Sequence, residues 1–330
     1  MKILVTGADG FIGSHLVEAL ATSGHEVRAT FMYNAQGSRG WLEDISKDTL
    51  SSIEIIGTDI RDPFAVAGAV KGCDAVLNLA ALIGIPYSYL APQSYLETNV
   101  QGTLNILSAA LEYGVGQVVQ TSTSEVYGTA AFVPITENHP LQAQSPYAAS
   151  KIAADQLALS FFRSFELPVK VVRPFNTYGP RQSTRAVVPT VITQLLAGDA
   201  QLKLGSLHPT RDLTLVTDTV AGFVAALNAE SATGQVINLG SGFEVSIGDL
   251  VGLIACEMEV DPDIILDDVR LRPKDSEVER LWADASKAQE ILGWTPEFGG
   301  LDGLKRGIAH TVEWFRSRLD FGHRAGAYHV

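Results

Sequence analysis

Short apolar runs alternate with longer amphipathic stretches along the first half of the chain. Residues 2–6 form one such run, which stops at Gly7. Apolar positions at helical spacing follow from Phe11 to about Ala21, and Gly24 is placed as the stop. Glu26–Phe31 reads as the next strand, so the chain opens strand–helix–strand. The pattern then predicts a strand near Ile53–Ile56, a helix near Pro63–Val70 and a strand at Asp74–Leu79. A long helix is expected from about Pro92 to Tyr113, then a strand at Gln117–Thr121. Ser145-Pro146 predicts a helix start, with the serine as N-cap and the proline in the first turn. Val169–Arg173 predicts one more strand. Strands alternating with helices predict an α/β fold with a doubly wound parallel sheet.

After Pro174 the pattern changes. Pro and Arg become denser, and short strands at Gln201–Leu204 and Val236–Leu239 sit between helical stretches. The expected division is a Rossmann-type domain over residues 1–174, with later segments crossing back, and a smaller C-terminal α/β substrate lobe in 175–330. The polar tail after Trp314 is expected to be loosely held.

Composition narrows the function classes. The 330 residues carry a net charge of −13, which argues against a nucleic-acid or anionic-membrane partner. No run approaches the roughly 18 apolar residues that a membrane helix needs. The chain reaches Gly7 too soon for a signal peptide, so a cytoplasmic protein is expected. Cys73 and Cys256 form no metal or disulfide pattern and read as small hydrophobes in a reducing compartment. The histidines lack metal-ligand spacing, and no metal is expected.

Candidate chemistry begins at Gly7-Ala8-Asp9-Gly10-Phe11-Ile12-Gly13, between the first strand and the first helix. Glycines at Gly7, Gly10 and Gly13 let the turn tighten and the backbone approach a pyrophosphate, with Phe11 and Ile12 opening the helix. A dinucleotide site often has an acid about 20 residues on, at the end of the second strand. Here Arg28 to Asn34 contain none. Asn34 could bond a ribose hydroxyl, or Arg28 or Arg39 could meet a 2′-phosphate. NAD is preferred and NADP stays open. Asp59 and Ile60, after the third strand, could contact the adenine.

Tyr147-Ala148-Ala149-Ser150-Lys151 places a phenol and an ammonium on one helix face. The ammonium is expected to favour phenolate and lower the Tyr147 pKa, so that Tyr147 can take a proton from a substrate hydroxyl. Thr121-Ser122-Thr123 ends the preceding strand, and Thr123 could bond the same hydroxyl.

The glycine motif, Asn78-Leu79-Ala80-Ala81, the Tyr147–Lys151 pair and Arg173-Pro174-Phe175-Asn176 resemble the extended short-chain dehydrogenases that modify nucleotide sugars. That resemblance implies a homodimer built on the helices at about 92–113 and 146–165. It adds Leu79, Ala80, Ala81, Asn99, Thr121 and Pro174 to the cofactor site. On the substrate side it implies Asn176, Arg211 and Arg272 at a nucleotide diphosphate, with Arg185 and Arg280 as further candidates. Tyr87 and Tyr89 could wall the sugar pocket. In Thr123-Ser124-Glu125, the carboxylate resembles that of sugar 4,6-dehydratases and UDP-glucuronate decarboxylases, whereas simple 4-epimerases usually lack it. Many dehydratases carry an aspartate where Ser124 stands. Gly40-Trp41-Leu42, Ile85-Pro86-Tyr87 and Ser276-Glu277-Val278 resemble UDP-N-acetylglucosamine 4,6-dehydratases of the legionaminic-acid type. The favoured expectation is a dehydratase acting on a UDP sugar, with Glu125 eliminating water and Ser124 or a water as acid. A decarboxylase, an epimerase and a catalytically dead cofactor-sensing protein are the alternatives.

Overall fold

The computed structural model describes residues 1–198 and 201–318, so the last part of the tail expected to be loose lies outside the described residues. Seven parallel strands form the central sheet: β1 (Lys2–Thr6), β2 (Glu26–Phe31), β3 (Ile53–Gly57), β4 (Ala75–Asn78), β5 (Gln117–Thr121), β6 (Val169–Pro174) and, after three intervening strands, Val236–Leu239. Those three are β7 (Asn176–Tyr178), β8 (Gln201–Leu204) and β9 (Thr210–Leu215), which makes Val236–Leu239 β10. The spatial order is β10-β6-β5-β4-β1-β2-β3, so direction reverses at β1 and β4. A Rossmann-type sheet offers its ligand crevice at that reversal.

The apolar runs become strands because both faces of a parallel sheet are covered. Side chains alternate between faces. Ile3 and Val5 enter a core with Leu16, Leu20 and Phe223. Leu4 enters the opposite core with Val76, Ile106 and Leu159. Helix starts follow local chemistry. Asp62 caps the helix Pro63–Val70 by accepting from Phe64 N at 2.8 Å. Ser145 caps Pro146–Phe165 by accepting from Ala148 N at 3.1 Å. The helix expected over 92–113 is interrupted by a π-helical turn at Leu96–Gln101.

The second lobe has a separate core of Tyr178, Ile192, Leu213, Ile254 and Phe315. Its sheets are β7 and β9 with β11 (Glu244–Ser246), and β8 with β12 (Asp263–Leu266). Val236–Leu239 crosses back out of this lobe: it pairs in parallel with Val171–Pro174 and forms the edge of the main sheet. The helix that precedes it, Val216–Asn228, shares a core with the first helix. Among the described residues, no helix is long and apolar enough to cross a membrane. None of their His, Cys, Asp and Glu side chains cluster to hold a metal ion.

Candidate active site

The glycine turn is fixed from below. Thr6 Oγ1 donates to Asn78 Oδ1 at 2.7 Å and accepts from Leu79 N and Ala80 N at 3.0 Å each. Asn78 in turn donates to Gln120 Oε1 at 2.8 Å. These bonds tie together the carboxyl ends of β1, β4 and β5. Gly7 has φ +64°, and a Cβ there would stand 2.9 Å from Ala80 Cα. A Cβ on Gly13 would lie 2.1 Å from Gly7 O. No other residue type fits this bend, which brings Gly7, Gly10, Phe11, Ile12 and Gly13 beside Leu79, Ala80 and Ala81. A bare backbone cradle at a helix start suits a pyrophosphate, so these residues fit a nicotinamide dinucleotide.

Other proposed cofactor residues are engaged with the protein. Asn34 donates to Ser38 O at 2.7 Å and accepts from Ser38 N at 3.1 Å, closing its own loop. Arg28 bonds Glu54 at 2.9 Å and Ala69 O at 2.7 Å, which commits it to the protein rather than a phosphate. Asp59 pairs with Arg61 at 2.6 Å, and buried Ile60 packs on Gly102. Buried Asn99 accepts from Leu82 N at 2.8 Å and donates to Ser150 Oγ at 2.9 Å. The Thr121 hydroxyl is buried without a hydrogen-bond partner, and Pro174 ends β6. Sequence reasoning missed Asp9, whose carboxylate reaches the end of β2 and accepts from Met32 N at 3.3 Å. Its place inside the glycine turn was the available signal.

Tyr147 and Lys151 lie in the first turns of the helix Pro146–Phe165, both buried. Burial pushes the Tyr147 phenol above its usual range; a hydrogen bond with Thr123 acts the other way, and Glu125 adds to the rise. The expected lowering of Tyr147 by Lys151 is therefore corrected. The Lys151 ammonium donates to Thr121 O at 2.6 Å instead, and burial brings its own pKa down to about 8. One turn further, Asp155 accepts from Ser122 Oγ at 2.7 Å and pairs with Arg173 at 3.0 Å. Arg173 donates onward to Tyr127 OH at 2.9 Å, which bonds Asn238 of β10 at 2.7 Å. This buried polar chain anchors the Tyr–Lys helix to the sheet.

Thr123 caps a short 3-10 turn, Ser124–Tyr127, by accepting from Glu125 N at 3.2 Å. The turn holds Glu125, 7% exposed, near Tyr147, and buries Ser124. Arg272 brings Nη1 to 3.9 Å from Glu125 and 3.7 Å from Glu277. Glu277 also pairs with buried Arg211 at 3.2 Å. Two arginines and two glutamates thus form one cluster, of which sequence reasoning gave Glu277 no role. Asn176 leaves a buried Oδ1 without a partner.

A second wall is aromatic. Tyr95 is buried with its ring 6.2 Å from both Tyr147 and Tyr87, and its hydroxyl donates to Gly84 O. Tyr87 is half-exposed, and a Cβ on Gly84 would lie 4.0 Å from Arg185 Nη1. Tyr89 bonds Ser276 across the lobes at 2.5 Å. Arg280 is spent on Glu244.

A dinucleotide cradle at the sheet reversal beside a buried Tyr–Lys pair is the arrangement of an extended short-chain dehydrogenase/reductase. A family model described as GDP-mannose 4,6 dehydratase matches residues 4–306, and the chain belongs to that family. A dTDP-glucose 4,6-dehydratase of Streptomyces antibioticus is 34% identical over 320 residues, covering 96% of this chain and 92% of the relative. A UDP-N-acetyl-alpha-D-glucosaminuronate decarboxylase of Bacillus cytotoxicus is 33% identical over 326 residues, covering 96% and 98%. A crystal structure of a dTDP-glucose 4,6-dehydratase double mutant from Streptomyces venezuelae, with NAD bound, superposes with TM-score 0.88 at 31% identity, covering 98% and 100%. The protein is thus an enzyme of the nucleotide-sugar dehydratase, epimerase and decarboxylase superfamily.

Proposed function

We propose that this protein is an NAD-dependent nucleotide-sugar 4,6-dehydratase, with UDP-N-acetylglucosamine as the substrate to test first. The carrying observation is the carboxylate of Glu125, held on the 3-10 turn between Tyr147 and Arg272. An acid in that place can remove a proton from a carbon next to a ketone.

NAD held at the glycine turn would supply the acceptor for the C4 hydride and the donor for its return at C6. Tyr147 takes the proton of the C4 hydroxyl as phenolate, the form that burial opposes and the hydrogen bond with Thr123 favours, and Thr123 orients that hydroxyl. Oxidation at C4 acidifies the C5 hydrogen, which Glu125 removes. The C6 hydroxyl leaves as water, protonated by Ser124 or by a solvent molecule that Ser124 orients. Once hydride has been added at C6, the proton held by Glu125 returns to C5, and the proton taken by Tyr147 makes up the one spent on the water. Lys151 fixes the carbonyl end of β5 through Thr121, one helical turn after Tyr147. Arg211, Arg272, Arg185 and Asn176 hold the diphosphate, where guanidinium forks suit phosphate oxygens. The reading carries with it a cytoplasmic homodimer: the helices ending at Glu112 and Phe165 pack together and leave Leu96, Leu111 and Phe165 exposed for a second copy.

The test is mass spectrometry of the product from UDP-N-acetylglucosamine and, separately, from UDP-glucuronate. Loss of one water from the first supports the dehydratase. Loss of carbon dioxide from the second with no dehydration of the first makes the enzyme a decarboxylase, and an isomer of unchanged mass makes it an epimerase.

A further inference from the structure

We propose that Asp9 selects a dinucleotide whose adenosine ribose carries a free 2′-hydroxyl, acting from the glycine turn in place of the acid that is missing from the end of β2. The proposal rests on the cofactor site described above and assigns one residue of it a role in specificity.

Four observations converge. First, residues 30–34 contain no acid, yet the Asp9 carboxylate occupies that place in space, bonded to Met32 N at 3.3 Å. Second, the placement is fixed from several sides. Ala8 N donates to Thr30 O and Trp41 N to Asp9 O, both at 3.0 Å. Gly40, at φ +56°, lies so close that a Cβ there would stand 2.5 Å from Asp9 O and 3.1 Å from Asp9 Cβ. The segment after β2 is thus folded onto Asp9.

Third, the arginine on β2 is already committed. Arg28 is bonded to Glu54 and to the carbonyls of Ala69 and Lys71, at 2.7 to 2.9 Å. Arg39 is exposed beside Gly40, which packs on Asp9, and lines a depression with Lys47, Leu50 and Ser51. Fourth, Asn34 spends both ends of its amide on its own loop. A 2′-phosphate of about −1.5 to −2 charge would therefore meet a fixed carboxylate at the glycine turn. A 2′-hydroxyl would meet an acceptor.

The test is direct binding of NADH and NADPH, followed by nicotinamide fluorescence, to wild type, Asp9→Asn and Asp9→Ala. Asn keeps an acceptor for Met32 N and removes only the charge. Wild type is expected to bind NADH at least about tenfold more tightly than NADPH. Asp9→Asn should narrow that ratio by about fivefold or more, mainly by tightening NADPH, with an unchanged melting temperature without ligand. Asp9→Ala should narrow it too, with weaker NADH binding. An unchanged ratio in Asp9→Asn, equal weakening of both dinucleotides, or a wild type that prefers NADPH overturns the proposal while the cofactor site stands. A wild type that binds neither dinucleotide overturns the cofactor site itself, and the proposal with it.

Discussion

Glu125 and Arg272 face each other from different lobes, with Oε1 and Nη1 3.9 Å apart. The distance is too long for a hydrogen bond, and Nη1 is buried without any such partner. Glu277 stands at a similar 3.7 Å on the other side. The guanidinium is therefore shared between two carboxylates and fully committed to neither. An arriving diphosphate would meet a cation that still has a donor to give.

Replacing that cation isolates its role in binding. Arg272→Met should raise KM for the nucleotide sugar by about ten- to hundredfold, about 1.4 to 2.8 kcal/mol. Steady-state kinetics measure it, and a KM within twofold of wild type would remove Arg272 from the diphosphate site.

Glu125→Gln keeps the shape of the 3-10 turn and removes the base. The predicted loss in kcat is about 10²- to 10⁴-fold. Stopped-flow absorbance should still show nicotinamide reduction on mixing with substrate, because the C4 step does not use Glu125. Loss of that signal as well would place Glu125 in the redox step. Undiminished product formation would exclude it from catalysis.

Tyr147→Phe should abolish nicotinamide reduction in the same stopped-flow experiment. The fold should survive, since the ring packs on Tyr95 and among Ile85 and Leu82 without needing its hydroxyl. Full activity in this variant would refute Tyr147 as the base.

Lys151 predicts an alkaline limb. Burial brings its pKa down from 10.5 to about 8, so the ammonium is lost as pH rises through about 8, and turnover should fall there. The stability sign is opposite. Between about 8 and 10.5 the unfolded chain holds more protons at this site, so the Lys151 contribution to stability rises with pH. Below about 8 the buried ammonium is a cost. Lys151→Met should thus be inactive yet melt no lower than wild type at neutral pH, with any advantage shrinking on the alkaline side. Calorimetry across that range checks both signs.

Asp155→Ala leaves the Arg173 guanidinium buried without its 3.0 Å partner. The expected loss is about 3–5 kcal/mol in urea unfolding. A loss below about 1 kcal/mol would mean that Tyr127 alone can hold Arg173.

The main-sheet strands were legible because a strand covered on both faces leaves an apolar run, bounded here by glycines and polar turns. Ser145 and Pro146 marked their helix start through local capping chemistry. What escaped was non-local. Val-Ile-Asn-Leu at 236–239 says strand but not which sheet, because pairing with β6 depends on contacts far away in sequence. Asn34 and Arg28 looked free because their partners lie in a folded loop and on a neighbouring strand. Asp9 and Glu277 were passed over because spacing along the chain did not reveal what they face. The Tyr147–Lys151 spacing was visible, but the burial that raises the phenol is a property of the packed site.

The placement of β10 has a mechanical consequence. The chain leaves the large sheet after β6, builds part of the second lobe, returns to complete the sheet edge, and leaves again. Asn238 on that returning strand also receives the Tyr127 hydroxyl and donates to Ile135 O. The lobes are therefore stitched by several chain crossings and cannot swing apart on one hinge. Proteolysis should find no single connector to cut, and a fragment ending at residue 174 would present β6 as a raw edge open to pairing with other copies.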